Sequence, residues 1–71
     1  MHISTYFATE EGKGYSEVHI DTKEELVYIL QFNTEEKQIN RKDFPNKSVS
    51  QVENIAEEWA LGYKHDGLQQ I

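Results

Sequence analysis

The chain has 71 residues, no cysteine, and thirteen acidic against seven basic side chains, for a net charge of −6. This length holds one domain that buries only about 60% of its unfolded surface, and the absence of thiols excludes both a disulfide framework and a thiolate metal site. Arg41 is the single arginine and the lysines are scattered. That balance argues against direct binding of DNA, RNA or anionic lipid, because such affinity rests on Lys and Arg neutralising phosphates.

No run of about 18 apolar residues is present, so no membrane span is expected. The opening MHISTYFATEE lacks the basic start and apolar core of a signal peptide, and a cytoplasmic protein is the expectation. An apolar fraction of 37% supplies a modest core, too much for a disordered chain. The acidic excess gives solubility in its plain reading and a surface for a basic partner in its sharper one.

Three segments rhyme: Phe7 with Thr9 and Glu10–Glu11, Ile20 with Thr22 and Glu24–Glu25, Phe32 with Thr34 and Glu35–Glu36. Such spacing predicts short strands that end in acidic turns, an antiparallel meander. Residues 2–8 alternate, with Ile3, Thr5 and Phe7 on one face. Gly12 and Gly14 mark a turn. Residues 15–21 put Val18 and Ile20 on one face and Glu17, His19 and Asp21 on the other. Residues 26–33 are apolar on both faces, Leu26, Tyr28, Leu30 and Phe32 against Val27 and Ile29, as in a central strand. Residues 37–43 make a polar edge strand. Thr22 with Glu25 also matches a capping box, so a helix from Thr22 is the rival for the third segment; the β-formers Val27, Tyr28, Ile29 and Phe32 favour strand.

Pro45 ends the sheet, and Ser48 with Gln51 or Ser50 with Glu53 can cap a helix. Val49, Val52, Ala56, Trp59 and Tyr63 then form an apolar stripe, and Gly62 suits a left-handed C-terminal cap. Residues 65–71 have no periodicity and read as a flexible tail beyond a domain of residues 1–64. The architecture expected is therefore α+β: a three- to four-stranded antiparallel sheet with one C-terminal helix on a face. The stripe is expected to lie on Leu26, Tyr28, Leu30 and Phe32, leaving Val27 and Ile29 on a free face. Val27, Ile29, Tyr6, Tyr15, Trp59 and Tyr63 are the interface candidates, and a homodimer is expected, since small domains without staples gain support by association.

The stretch FPNKS at 44–48 followed by VENIAEEWALG at 52–62 resembles short uncharacterised proteins of tailed phages that infect marine cyanobacteria. Those look like a few strands followed by a helix of the form A-E-x-x-x-x-W-x-L-G; here Ala56, Glu57 and Glu58 sit closer to Trp59. The resemblance covers residues 44–62 in letters and 26–62 in pattern. It implies a viral origin, a host cytoplasm and a small host-directed regulator, and it carries over no catalytic residue.

Chemistry is sparse. Glu17, His19 and Asp21 share a strand face and are the candidate metal ligands, although a solvated polar face explains them equally. No serine lies in a nucleophile elbow, and the glutamate pairs fall mostly at hydrated turns. No catalytic residue and no cofactor is expected, and a domain this small has little room for a pocket of about 300 Å³. The expected function is a non-enzymatic protein-interaction module. The alternatives are an acidic nucleic-acid mimic, which needs carboxylates spaced like phosphates on one surface, and a small metal- or ligand-binding domain.

Overall fold

The computed structural model describes residues 1–70. Four strands, β1 (His2–Phe7), β2 (Tyr15–Asp21), β3 (Leu26–Phe32) and β4 (Gln38–Phe44), pair in chain order as one antiparallel sheet, and a single helix α1 (Val49–Ala60) follows. The α+β meander expected from the sequence is what forms, and the segment around Tyr28 is strand. A helix there would leave β2 paired on one edge only, by β1, whereas β3 pairs with β2 along its whole length, from Asp21↔Leu26 to Tyr15↔Phe32.

Two of the rhyming segments close by one device. Asp21 Oδ1 accepts the backbone N–H groups of Lys23 (3.0 Å) and Glu24 (3.2 Å). Asn33 Oδ1 accepts those of Glu35 (2.9 Å) and Lys37 (3.1 Å). Each side chain thus templates its own turn. Both turns include a glutamate in the left-handed region, Glu25 (φ 51°) and Glu36 (φ 63°), where glycine is the unstrained choice. In the first hairpin Gly14 lies against the Phe32 carbonyl, with no room for a Cβ.

Helix α1 begins at Ser48, whose Oγ accepts Gln51 N–H while Gln51 Oε1 accepts Ser48 N–H. Of the two capping options only this one forms; Ser50 lies inside the helix. The helix ends in a Schellman motif: Gly62 N–H donates to Trp59 O and Tyr63 N–H to Glu58 O, with Gly62 at φ 104°. Tyr63 therefore lies past the helix and is 62% exposed, not part of the apolar stripe.

The helix covers the opposite sheet face from the one expected. Val18, Val27, Ile29 and Phe44 share one face with Ser16 and Gln31, and Val52, Ala56, Trp59 and Ala60 of α1 close over it. Val27 and Ile29 are core, not a free surface, and Trp59 is buried with them. Leu26, Tyr28, Leu30 and Phe32 stand on the uncovered side. The reason lies in β2. Register places Val18 opposite Ile29 and Ile20 opposite Val27, so the face with Tyr28 also carries Glu17 and His19. Burying those polar tips beneath a helix without full compensation costs several kcal/mol, of order 2–7 per group. The aliphatic face has a smaller penalty, since only Ser16 and Gln31 are buried polar residues there and Gln31 is hydrogen-bonded. Each fully buried Val or Ile contributes about 1.5–3 kcal/mol.

The segment after the helix also differs from expectation. Residues 65–70 fold back over the edge of the sheet that α1 leaves open, and Leu68 joins the core. Gln31, fully buried, is the knot: its Oε1 accepts Gln69 N–H (2.7 Å) and Asn40 Nδ2–H (2.7 Å), and its Nε2 donates to Gln69 O (3.1 Å). Trp59 Nε1 donates to the same Gln69 carbonyl (2.6 Å), and Asn40 Nδ2 also reaches Gly67 O. The tail is thus laced to β3, β4 and α1 by polar bonds that sequence periodicity does not register.

Candidate functional site

The uncovered face of the sheet holds two rows of rings that cross the strands. In the first, Phe7 packs at 5.3 Å against Tyr15, which stacks at 4.9 Å on Phe32 with their planes 12° apart. In the second, His2 stacks on His19 at 5.0 Å, His19 stacks on Tyr28 at 5.3 Å, and the Arg41 guanidinium lies 4.0 Å from the Tyr28 centroid. These are cross-strand neighbours, the pairs that stabilise sheets. Thr5, Glu17 and Leu30 lie between the rows. Phe7 is 69% exposed and Ile39 38%, so the face is apolar and open at its flanks.

Polar groups on this face are mutually paired. Glu17 Oε1 is 2.8 Å from His19 Nε2, and Arg41 Nε donates to Asp43 Oδ1 at 2.8 Å. That bond raises the Arg41 pKa above its ordinary value. Burial first, then the nearby charges of Glu36 and Glu17, push the Tyr15 phenol up, so it stays neutral to higher pH than a free tyrosine. The carboxylates outside the face are divided between the two ends of the sheet, Glu10, Glu11, Glu35 and Glu36 at one and Glu24 and Glu25 at the other, and the helix.

Of the sequence candidates, Tyr15 stands on the open face, while Tyr6 is on the helix side and packs against the core. Glu17 and His19 come together, but Asp21 does not join them; its carboxylate is committed to the β2–β3 turn. Its place is taken by His2, which strict alternation would put with Ser4 and Tyr6 on the helix side. An irregularity in β1 between His2 and Ser4 inserts one residue into the ladder and brings His2 opposite His19. Among the described residues, His2, Glu17 and His19 are the one group of three whose ligating atoms all lie within 4.8 Å of one another. Nothing in the local sequence of β1 announces that bulge.

Two open grooves mark the surface, more room than the chain length led us to expect. One, of about 720 Å³, is lined by Lys42, Phe44, Lys47, Ile55 and His65. The other, of about 270 Å³, extends the first aromatic row and is lined by Phe7, Lys13, Tyr15 and Glu36. Among the described residues no helix is long and apolar enough to cross a membrane. No family model matches the chain, and neither a curated protein nor a solved structure matches it.

Proposed function

We propose that this protein is a non-enzymatic interaction module that docks an apolar segment of a protein partner on the uncovered sheet face. The observation that carries this reading is the Phe7–Tyr15–Phe32 row, flanked by Leu30 and Ile39, lying open on a sheet whose other face already holds the core. Aromatic side chains held by cross-strand stacking lose little conformational freedom on binding, which makes them effective anchors. The exposed glutamates at both ends of the face select the partner's flanks: apolar residues bordered by Lys or Arg. A viral, host-directed regulator acting in the host cytoplasm is compatible with such a surface.

A homodimer through this face is the second reading, favoured by the extent of the open aromatic surface. Face-to-face pairing of two copies brings glutamate-rich ends together in either two-fold orientation, so added salt strengthens self-association. Salt weakens binding of a basic-flanked partner. The test is selection of a random peptide display library on the chain, with Leu30→Glu as counter-selection. Enriched peptides carry aromatic or aliphatic residues beside Lys or Arg, bind the parent chain less tightly as salt rises, and fail on the variant. Peptides that bind parent and variant equally overturn the reading. Sedimentation of the chain alone at low and high salt measures the dimer.

A further inference from the structure

We propose that His2, Glu17 and His19 form a binding site for one divalent transition-metal ion of the zinc class. The inference is independent of the docking reading, since it concerns the far end of the second row and needs no partner. The donor set is two imidazoles and one carboxylate, which suits Zn²⁺, Co²⁺, Ni²⁺ or Cu²⁺ and not Ca²⁺ or Mg²⁺, which take oxygen ligands.

The geometry is close to closure. The three ligating atoms lie within 4.8 Å of one another. Around an ion with bonds of about 2.0–2.1 Å in a tetrahedral shell they need to be roughly 3.4 Å apart. Closing the shell turns the exposed His2 ring toward the pair, giving up its stack on His19, and opens the Glu17–His19 contact from 2.8 Å to about that spacing. The other two ligands are already held. Glu17 and His19 contact each other at 2.8 Å with side chains only 22% and 15% exposed. Tyr28 supports the His19 ring on its other side. Partial removal from water strengthens the attraction of the carboxylate for a cation.

His2 is fixed in position by the chain on both sides. Met1 and Ile20 exchange backbone hydrogen bonds (2.7 and 2.9 Å), and His2 Nε2 lies 2.8 Å from Thr5 Oγ1 and 3.0 Å from Ser4 O. Without an ion these contacts satisfy the imidazole. With one, the metal replaces them and replaces the Glu17–His19 hydrogen bond, and the fourth position faces solvent and takes water. Two cations border the site: the Met1 ammonium, held on the Ile20 carbonyl, opposes a metal ion, while Arg41 lies beyond Tyr28 and is paired with Asp43, so its repulsion is offset.

The test is calorimetric titration of untagged protein with ZnCl₂, followed in parallel by the histidine ring resonances. One Zn²⁺ binds per chain, and the ring signals of His2 and His19 shift while those of His65 do not. His2→Ala and His19→Ala each weaken binding by more than about 100-fold, and Glu17→Gln by at least about 10-fold, at or above the cost of losing an outer-shell partner. His65→Ala leaves affinity unchanged. His2 is exposed at the start of β1, so its substitution keeps the fold, which an unchanged amide spectrum verifies. No heat and no shift at millimolar zinc, unchanged affinity in His2→Ala, loss of binding in His65→Ala, or half an ion per chain each overturn the site.

Discussion

The two faces of this sheet are made from the same four strands and yet have opposite chemistry. The covered face is built largely of small and branched side chains, Val18, Val27, Ile29 and Ser16, with one fully buried amide, Gln31, whose Oε1 and Nε2 both find partners inside the protein. The open face carries the larger rings, Tyr15, Tyr28, Phe32, His19 and His2, each leaning on its cross-strand neighbour. A helix laid on a sheet needs a low, dry surface to reach close packing. Tall rings with polar tips are better left half-buried, where they stack on each other and keep their polar atoms wet. Apolar content therefore does not tell which face is core; the polar atoms that accompany it do.

The contrast can be broken most severely at its hinge. Trp59→Ala empties the centre of the covered face and removes the bond to Gln69, and it is expected to cost about 3–5 kcal/mol. In a domain of this size that lowers the melting temperature by roughly 15–30 °C. Phe32→Ala on the open face loses its stack on Tyr15 and part of its burial, about 2 kcal/mol. Thermal melts by circular dichroism compare the two, and equal losses would mean that the faces are not different in kind.

Gln31→Leu is expected to cost about 2 kcal/mol, because Gln69 N–H loses its partner beneath the folded-back tail. Hydrogen exchange should show the loss concentrated in residues 66–70. In the opposite direction, Ser16 Oγ is buried on the covered face without a hydrogen-bond partner among the described residues. Ser16→Ala is expected to stabilise by about 1 kcal/mol, read from a denaturant midpoint that rises at constant slope. Glu36→Gly should add roughly 0.5 kcal/mol, the left-handed strain relieved less the extra freedom of the unfolded glycine.

The smallest effect is a pH dependence on the open face. The folded Tyr15 pKa is raised above its ordinary 10.0, so the neutral phenol is the form the fold favours. Its contribution to stability is complete below pH 10.0 and is lost as pH climbs through the folded value. Tyr15→Phe should flatten that alkaline decline in urea melts, and ultraviolet titration should show one tyrosine ionising late.

The sequence left open three strands or four and Ser48 or Ser50 as the cap, and it carried the stripe one residue past Gly62 to Tyr63. By itself it determined the order and class of the elements: alternation in residues 15–21, β-formers in 26–33 and a serine-capped apolar stripe. These are local, because strand pitch, capping geometry and turn conformation are set by neighbours a few residues apart. Tertiary structure decided three things: which side of β3 meets the helix, where the tail goes, and which groups gather around His19. The first follows from the β2–β3 register, which sets Val18 beside Ile29 and Glu17 beside Leu30. The second depends on Gln31, an amide in an apolar strand that finds its partners thirty-eight residues away. The third turns on a single inserted residue in β1, which moves His2 from one face to the other. Each is a contact between residues distant in the chain, and since the side chains of a strand alternate at every step, one residue of register is enough to exchange core for surface.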